Sequence, residues 1–115
     1  MDFGSELIKG NTRTIVLAVL NQGSQHGYGV AREIERLSGQ MLLFKEGTLY
    51  PVLHALERDG LITGDWEVSA SGPPRKVYAI TSQGISELER RTRLWIDFSG
   101  MLNRVLKGDS DAQPV

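Results

Sequence analysis

Residues 46–60 read Glu46-Gly47-Thr48-Leu49-Tyr50-Pro51-Val52-Leu53-His54-Ala55-Leu56-Glu57-Arg58-Asp59-Gly60, and this stretch decides the fold. Leu49, Val52, Leu53 and Leu56 recur at i, i+3, i+4 and i+7, the spacing of one helical face. Gly60 stands where a helix stops. The opposite side carries Tyr50, His54, Ala55 and Arg58. Proline breaks a helix interior, so the pattern predicts that Thr48 caps the start and that Pro51 falls in the first turn, where its missing amide has no partner to lose. The expected element is an amphipathic helix from Thr48 to Asp59.

Two helices are expected upstream. Thr12 to Leu20 is apolar nearly all round (Ile15, Val16, Leu17, Ala18, Val19, Leu20) and reads as a buried helix. Asn11 or Thr12 is its candidate cap, and an extension back to Ser5 across Gly10 is open. After the break at Gly23-Ser24, Val30, Ile34 and Leu37 share one face, and Arg32, Glu33, Glu35 and Arg36 cover the other; Gly39 is placed to end that helix.

Downstream the period changes from helical to alternating. Ile62, Gly64, Trp66 and Val68 fall on one face and Thr63, Asp65, Glu67 and Ser69 on the other, which predicts a half-buried strand. Ser69-Ala70-Ser71-Gly72-Pro73-Pro74 is a turn by composition, and Arg75 to Ile80 is a second strand, completing a hairpin. Thr81 is the expected N-cap of a last helix running to about Lys107. Ile85, Leu88, Thr92, Trp95, Ser99, Leu102 and Leu106 keep a 3–4 spacing, Leu94, Phe98, Met101 and Val105 widen the apolar face in its C-terminal half, and Glu87 and Glu89 precede Arg91 and Arg93 by four. Residues 108–115 read as a polar, disordered tail.

The fold class expected from this order is mainly α (α+β): a winged helix-turn-helix over residues 1–81, with two helices in a tight connection followed by a hairpin wing, and a long helix over 82–107. About 25 residues at 1.5 Å each extend nearly 40 Å, beyond the reach of so small a domain's own core. Several large apolar side chains left wet would forgo roughly 1.5–3 kcal/mol each. A second copy of the chain is the simplest cover, giving a twofold homodimer whose two polar helix faces suit half-sites about one turn of DNA apart.

Bulk properties narrow the function classes. The length of 115 residues suits one domain. No apolar run approaches a membrane span of about 20 residues, and the start of the chain lacks the pattern of a signal peptide, so a cytoplasmic protein is expected. With no cysteine, disulfides and thiolate metal sites are excluded, and the two histidines have no metal-binding spacing. Neither a phosphate loop nor a nucleophile–base set is visible, so no enzyme, metal or cofactor is expected. The net charge of −1 argues against a strongly basic DNA binder, but phosphate responds to local potential within a Debye length of about 10 Å, and residues 69–86 contain no acid.

Taken together, His26-Gly27-Tyr28-Gly29, Glu46-Gly47-Thr48-Leu49-Tyr50-Pro51, Leu53-His54-Ala55-Leu56-Glu57-Arg58-Asp59-Gly60-Leu61-Ile62, Ser71-Gly72 before Arg75-Lys76-Val77-Tyr78, and Ile80-Thr81 with Gly84 resemble the PadR family of bacterial transcriptional regulators, in its compact form with a single C-terminal helix. The likeness spans roughly residues 8–106. It implies a winged-helix homodimer that binds double-stranded DNA, usually represses transcription, and is released by a small molecule or other signal. By position, the helix from Thr48 is then the recognition helix and the turn between Ser69 and Arg75 the wing tip. Pro73, Pro74 and Ala79 depart from the more basic wings of the family and reduce the phosphate contacts implied.

The candidate DNA-binding residues are Tyr50 and His54 on the helix, Thr48 as cap or phosphate ligand, Lys45 ahead of it, Arg32 on the preceding helix, and Arg75 and Lys76 on the wing. Alternation points those last two to opposite faces, so at least one is expected to reach DNA. His26 reads as structural. Leu88, Trp95, Phe98 and Leu102 are the candidate dimer seam. Trp95 has two readings: dimer core, or, as the resemblance implies, one wall of a pocket for a flat apolar or aromatic effector. A different class stays open as well: a dimeric ligand-binding or interaction module on the same scaffold that does not bind DNA.

Overall fold

The computed structural model describes residues 2–108; of the tail expected at 108–115, all but Gly108 lies outside them. The chain runs α1 (Ser5–Asn21), β1 (Gln25–His26), α2 (Gly27–Leu37), α3 (Glu46–Arg58), β2 (Ile62–Glu67), β3 (Arg75–Ile80) and α4 (Ser82–Lys107). Three antiparallel strands form a sheet in the order β1-β3-β2. Val16, Leu17 and Leu20 of α1, Val30 and Ile34 of α2, Leu49, Leu53 and Leu56 of α3, Ile62, Tyr78 and Leu88 make one core. The winged-helix class expected from the sequence is the fold observed.

Several details differ from the sequence reading. α1 begins at Ser5, and neither Asn11 nor Thr12 caps it. Asn11 Nδ2 donates to the Leu7 carbonyl at 2.7 Å and Thr12 Oγ1 to the Ile8 carbonyl at 2.6 Å, so both side chains bond back to the preceding turn of a helix already under way. α3 starts at Glu46 with Lys45 as its extended N-cap residue. The Thr48 and Leu49 amides both donate to the Lys45 carbonyl at 3.0 Å, so Thr48 lies inside the first turn and is not the cap. Pro51 therefore sits in the second turn and withholds one bond, the one the Gly47 carbonyl would accept; Gly47 is exposed, where water can satisfy it.

The α2–α3 connection is eight residues long, from Ser38 to Lys45, rather than tight. Gly39 (φ 64°) and Gln40 (φ 66°) turn the chain, and the Gln40 amide reaches the Glu35 carbonyl at 2.7 Å, the six-to-one bond of a Schellman end. α3 ends in the same way: Gly60 has φ 78° and the Leu61 amide donates to the Leu56 carbonyl at 3.0 Å.

The wing corrects the alternation argument. Of the face expected to be buried, Ile62 is covered, but Trp66 is 69% exposed and Val68 87%. β2 leaves the core after its first residues, so its outer half has no layer beneath it. Thr81 caps α4 as expected: its Oγ1 accepts from the Gly84 amide at 3.0 Å and donates to the Gly60 carbonyl at 2.8 Å. Among the described residues no helix is long and apolar enough to cross a membrane.

Candidate nucleic-acid interface

A cleft of about 360 Å³ opens between the start of α2, the outer side of α3 and the wing, lined among others by Tyr28, Tyr50, His54, Trp66, Arg75 and Lys76. Four of these were expected on sequence grounds, and the fold brings them together. Tyr50 is half-buried, and its Oη lies 2.7 Å from where a Cβ on Gly27 would stand. The ring therefore rests on the first residue of α2, a contact that only glycine leaves open. Its centroid is 6.2 Å from that of His54, which is exposed.

The two wing cations diverge, as alternation requires. Arg75 is exposed and makes no ion pair among the described residues. Lys76 turns back: Nζ donates to Glu57 Oε1 on α3 at 2.9 Å, which raises the ammonium above the usual lysine range. Its charge also lies 5.5 Å from the Tyr78 ring centroid and 6.0 Å from that of Trp66.

Lys45, Thr48 and Arg32 stand outside the cleft. Lys45 and Thr48 are exposed at the N-terminal end of α3, where amides without helical partners favour an anion, although Glu46 shares that first turn. Arg32 lies over the Tyr28 ring, 5.7 Å from its centroid. His26 caps α2 in extended conformation and pairs with Val77 of β3, with Nε2 3.7 Å from Glu67 Oε1.

Tyr28 and Trp66 were missed as members of this face. The signal for Trp66 was present: once the hairpin is closed over the turn at 68–74, Trp66 stands opposite Lys76, so an indole belongs beside the wing cations. Tyr28, 61% exposed, gave no periodic signal, being only the second residue of its helix.

The candidate seam residues part company. Leu88 packs into the protomer's own core at 9% exposure, whereas Trp95 (49%), Phe98 (52%) and Leu102 (37%) are largely open, as are Leu94, Ile96, Met101, Val105 and Leu106. A cavity of about 410 Å³ between α1 and α4 is lined by residues including Gly10, Thr14, Arg91, Leu94, Trp95 and Phe98. Near the root of the rod, Glu87 holds two guanidinium groups, Arg90 through bonds of 2.9 and 2.7 Å and Arg91 at 2.6 Å.

Three helices, a small sheet whose outer hairpin stands beside the third of them, and a projecting last helix define a winged helix-turn-helix protein of the transcription-regulator type. Comparison with known proteins places it more closely. Residues 16–90 match the family described as the transcriptional regulator PadR-like family, and the chain belongs to it.

A solved transcriptional regulator from Clostridium thermocellum superposes with a TM-score of 0.80 at 28% identity, over 87% of this chain and 97% of that one. A PadR-like transcriptional regulator from Bacillus cereus gives a TM-score of 0.76 at 30% identity, over 90% and 99%. The transcriptional regulator YqjI of Escherichia coli is 31% identical over 80 residues, which are 70% of this chain and 37% of that longer protein.

Proposed function

We propose that the chain is a sequence-specific DNA-binding regulator that grips an inverted-repeat operator as a homodimer, and that it represses transcription until a small effector releases it. The observation that carries the reading is the face made by α3 and the wing, where the exposed His54 and Arg75 line an aromatic cleft open to solvent and the exposed Lys45 stands at the start of the same helix. A helix of this size enters the major groove, and a wing cation beside it meets the backbone.

The homodimer is supported by the apolar side chains on α4 beyond Leu88, which the described residues leave 37–74% exposed. A twofold axis along that stripe would hold two α3 helices for two half-sites. The cavity walled by Leu94, Trp95 and Phe98 supports an effector that is flat and apolar or aromatic. In that reading Trp95 belongs to both the seam and the ligand wall.

The alternative, a dimeric ligand-binding module that leaves DNA alone, draws support from Lys76, whose charge Glu57 neutralises. A gel shift with DNA from upstream of the protein's own gene separates the two. A discrete shift at low salt that competes poorly with random duplex is expected; no shift at low salt rejects the regulator reading.

A further inference from the structure

Lys76 is the one wing cation directed away from solvent, and three independent features hold it there. Its Nζ donates to Glu57 Oε1 on the recognition helix. Its charge lies over the rings of Tyr78 and Trp66. Its stem crosses β2 at Gly64, where an added Cβ would stand 2.5 Å from Lys76 Cε and 3.1 Å from both Glu57 oxygens; the missing side chain leaves the path between the two residues open.

A lysine that contacts phosphate keeps its ammonium on a mobile, hydrated stem. This one is fixed at both ends and its charge is matched. Arg75, one residue earlier, is exposed and makes no ion pair among the described residues.

We infer that Lys76 is a positioning residue: clamped by Glu57 across Gly64, it ties the wing to the recognition helix and leaves Arg75 as the wing's phosphate contact. This rests on the DNA-binding reading above. The clamp sets the height of the wing over α3, so that the turn at 68–74 meets the backbone at a fixed distance from the groove that α3 enters.

Salt dependence tests it, because each phosphate contact contributes a slope of about −0.9 in log K against log salt, or roughly 3-fold in affinity between about 50 and 200 mM. The full-length chain is titrated against a labelled duplex from its own upstream region. Arg75→Gln is expected to flatten the slope by about 0.9 per wing. Glu57→Gln together with Lys76→Met, which removes the matched pair as a unit, is expected to weaken binding with the slope unchanged.

Glu57→Gln alone is expected to release the ammonium and steepen the slope, a gain that the double variant lacks. A double-variant slope as flat as that of Arg75→Gln overturns the inference, as does Glu57→Gln leaving the slope unmoved. If the double variant fails to fold by circular dichroism, the Glu57→Gln result decides.

Absence of any wild-type binding at low salt would instead reject the DNA reading. The clamp is then judged by NMR titration of Lys76 Cε, which should fall to lower pH in Glu57→Gln; an identical titration in both proteins overturns it.

Discussion

Replacing Trp95 with aspartate should convert the proposed dimer to monomers, and the size of the effect follows from the exposure along α4. Leu94, Trp95, Phe98, Met101, Leu102 and Val105 are 37–66% exposed in the protomer. Full burial of such a side chain is worth roughly 1.5–3 kcal/mol, so covering the open half gives about 1 kcal/mol each. Over both copies that is on the order of 12 kcal/mol, comparable with the roughly 4–15 kcal/mol that association costs, so the seam has no large surplus.

An aspartate at position 95 forfeits about 1 kcal/mol of burial and brings a carboxylate into the seam, whose desolvation costs several kcal/mol more. The twofold axis doubles both, giving about 6 kcal/mol or more, which is about four decades in dissociation constant. Sedimentation velocity at micromolar chain concentration should then show monomer for Trp95→Asp and dimer for both the wild type and Trp95→Phe. Trp95 lies outside the protomer core, so helix content by circular dichroism should survive in the aspartate variant. A Trp95→Asp protein that sediments as an undisturbed dimer would refute the assignment of this stripe to the seam.

The remaining predictions concern stability. The Arg90 hydrogen bonds, opposed by burial and assisted by Arg91, hold the Glu87 carboxyl down to about 2. A depressed folded value means the stabilisation is present above the unfolded carboxylate range near 4.5 and is lost as pH falls from there toward 2; contact with solvent reduces it to about 1 kcal/mol. Urea midpoints should therefore separate wild type from Glu87→Gln at pH 6 and converge near pH 2. A constant gap over that range would count against the assignment. Thr81→Ala removes the α4 cap and its bond to Gly60, and should cost about 1–2 kcal/mol in thermal or urea unfolding. Gly84→Ala drives a Cβ into the Leu61 carbonyl oxygen, a backbone atom with no freedom to retreat, and should cost about 1–3 kcal/mol or more; a neutral result would mean that the start of α4 can slide.

What was legible in the sequence and what was not divides on physical lines. α4 could be placed from Ser82 to Lys107 because a capping threonine and a long 3–4 repeat both report on local structure. The core face of α3 was legible for the same reason. β1 was not: two residues, Gln25 and His26, have no period, and their pairing with Val77 and Tyr78 spans about fifty positions of chain. The cap of α3 was expected three positions late, at Thr48 rather than Lys45, because Pro51 points to a first-turn position, whereas Gly47 tolerates the missing bond at the surface. At the site, alternation alone separated Arg75 from Lys76 without saying which would turn inward. That depended on Glu57 lying 19 positions earlier in the chain yet 2.9 Å away, with a glycine between them in space. Trp66 was read as buried because alternation reports a face without reporting how far the core extends beneath it.

α4 changes role along its length. Up to Arg91 it is tied to its own domain: Thr81 caps it, Gly84 abuts Leu61, Leu88 enters the core, and Arg91, held by Glu87, reaches Thr14 of α1 at 3.4 Å. Beyond Arg91 its apolar side chains are open. In a twofold dimer joined along that open part, the placing of the two α3 helices follows from the direction in which the rod leaves its domain. A swing of about 10° over roughly 20 Å displaces a recognition helix by about 3.5 Å, close to one base-pair step. A pair such as Glu87 and Arg91, worth about 1 kcal/mol to stability, therefore counts for more as a brace on that angle. Its loss should relax the preference for half-site spacing as well as lower the melting temperature by about a few degrees.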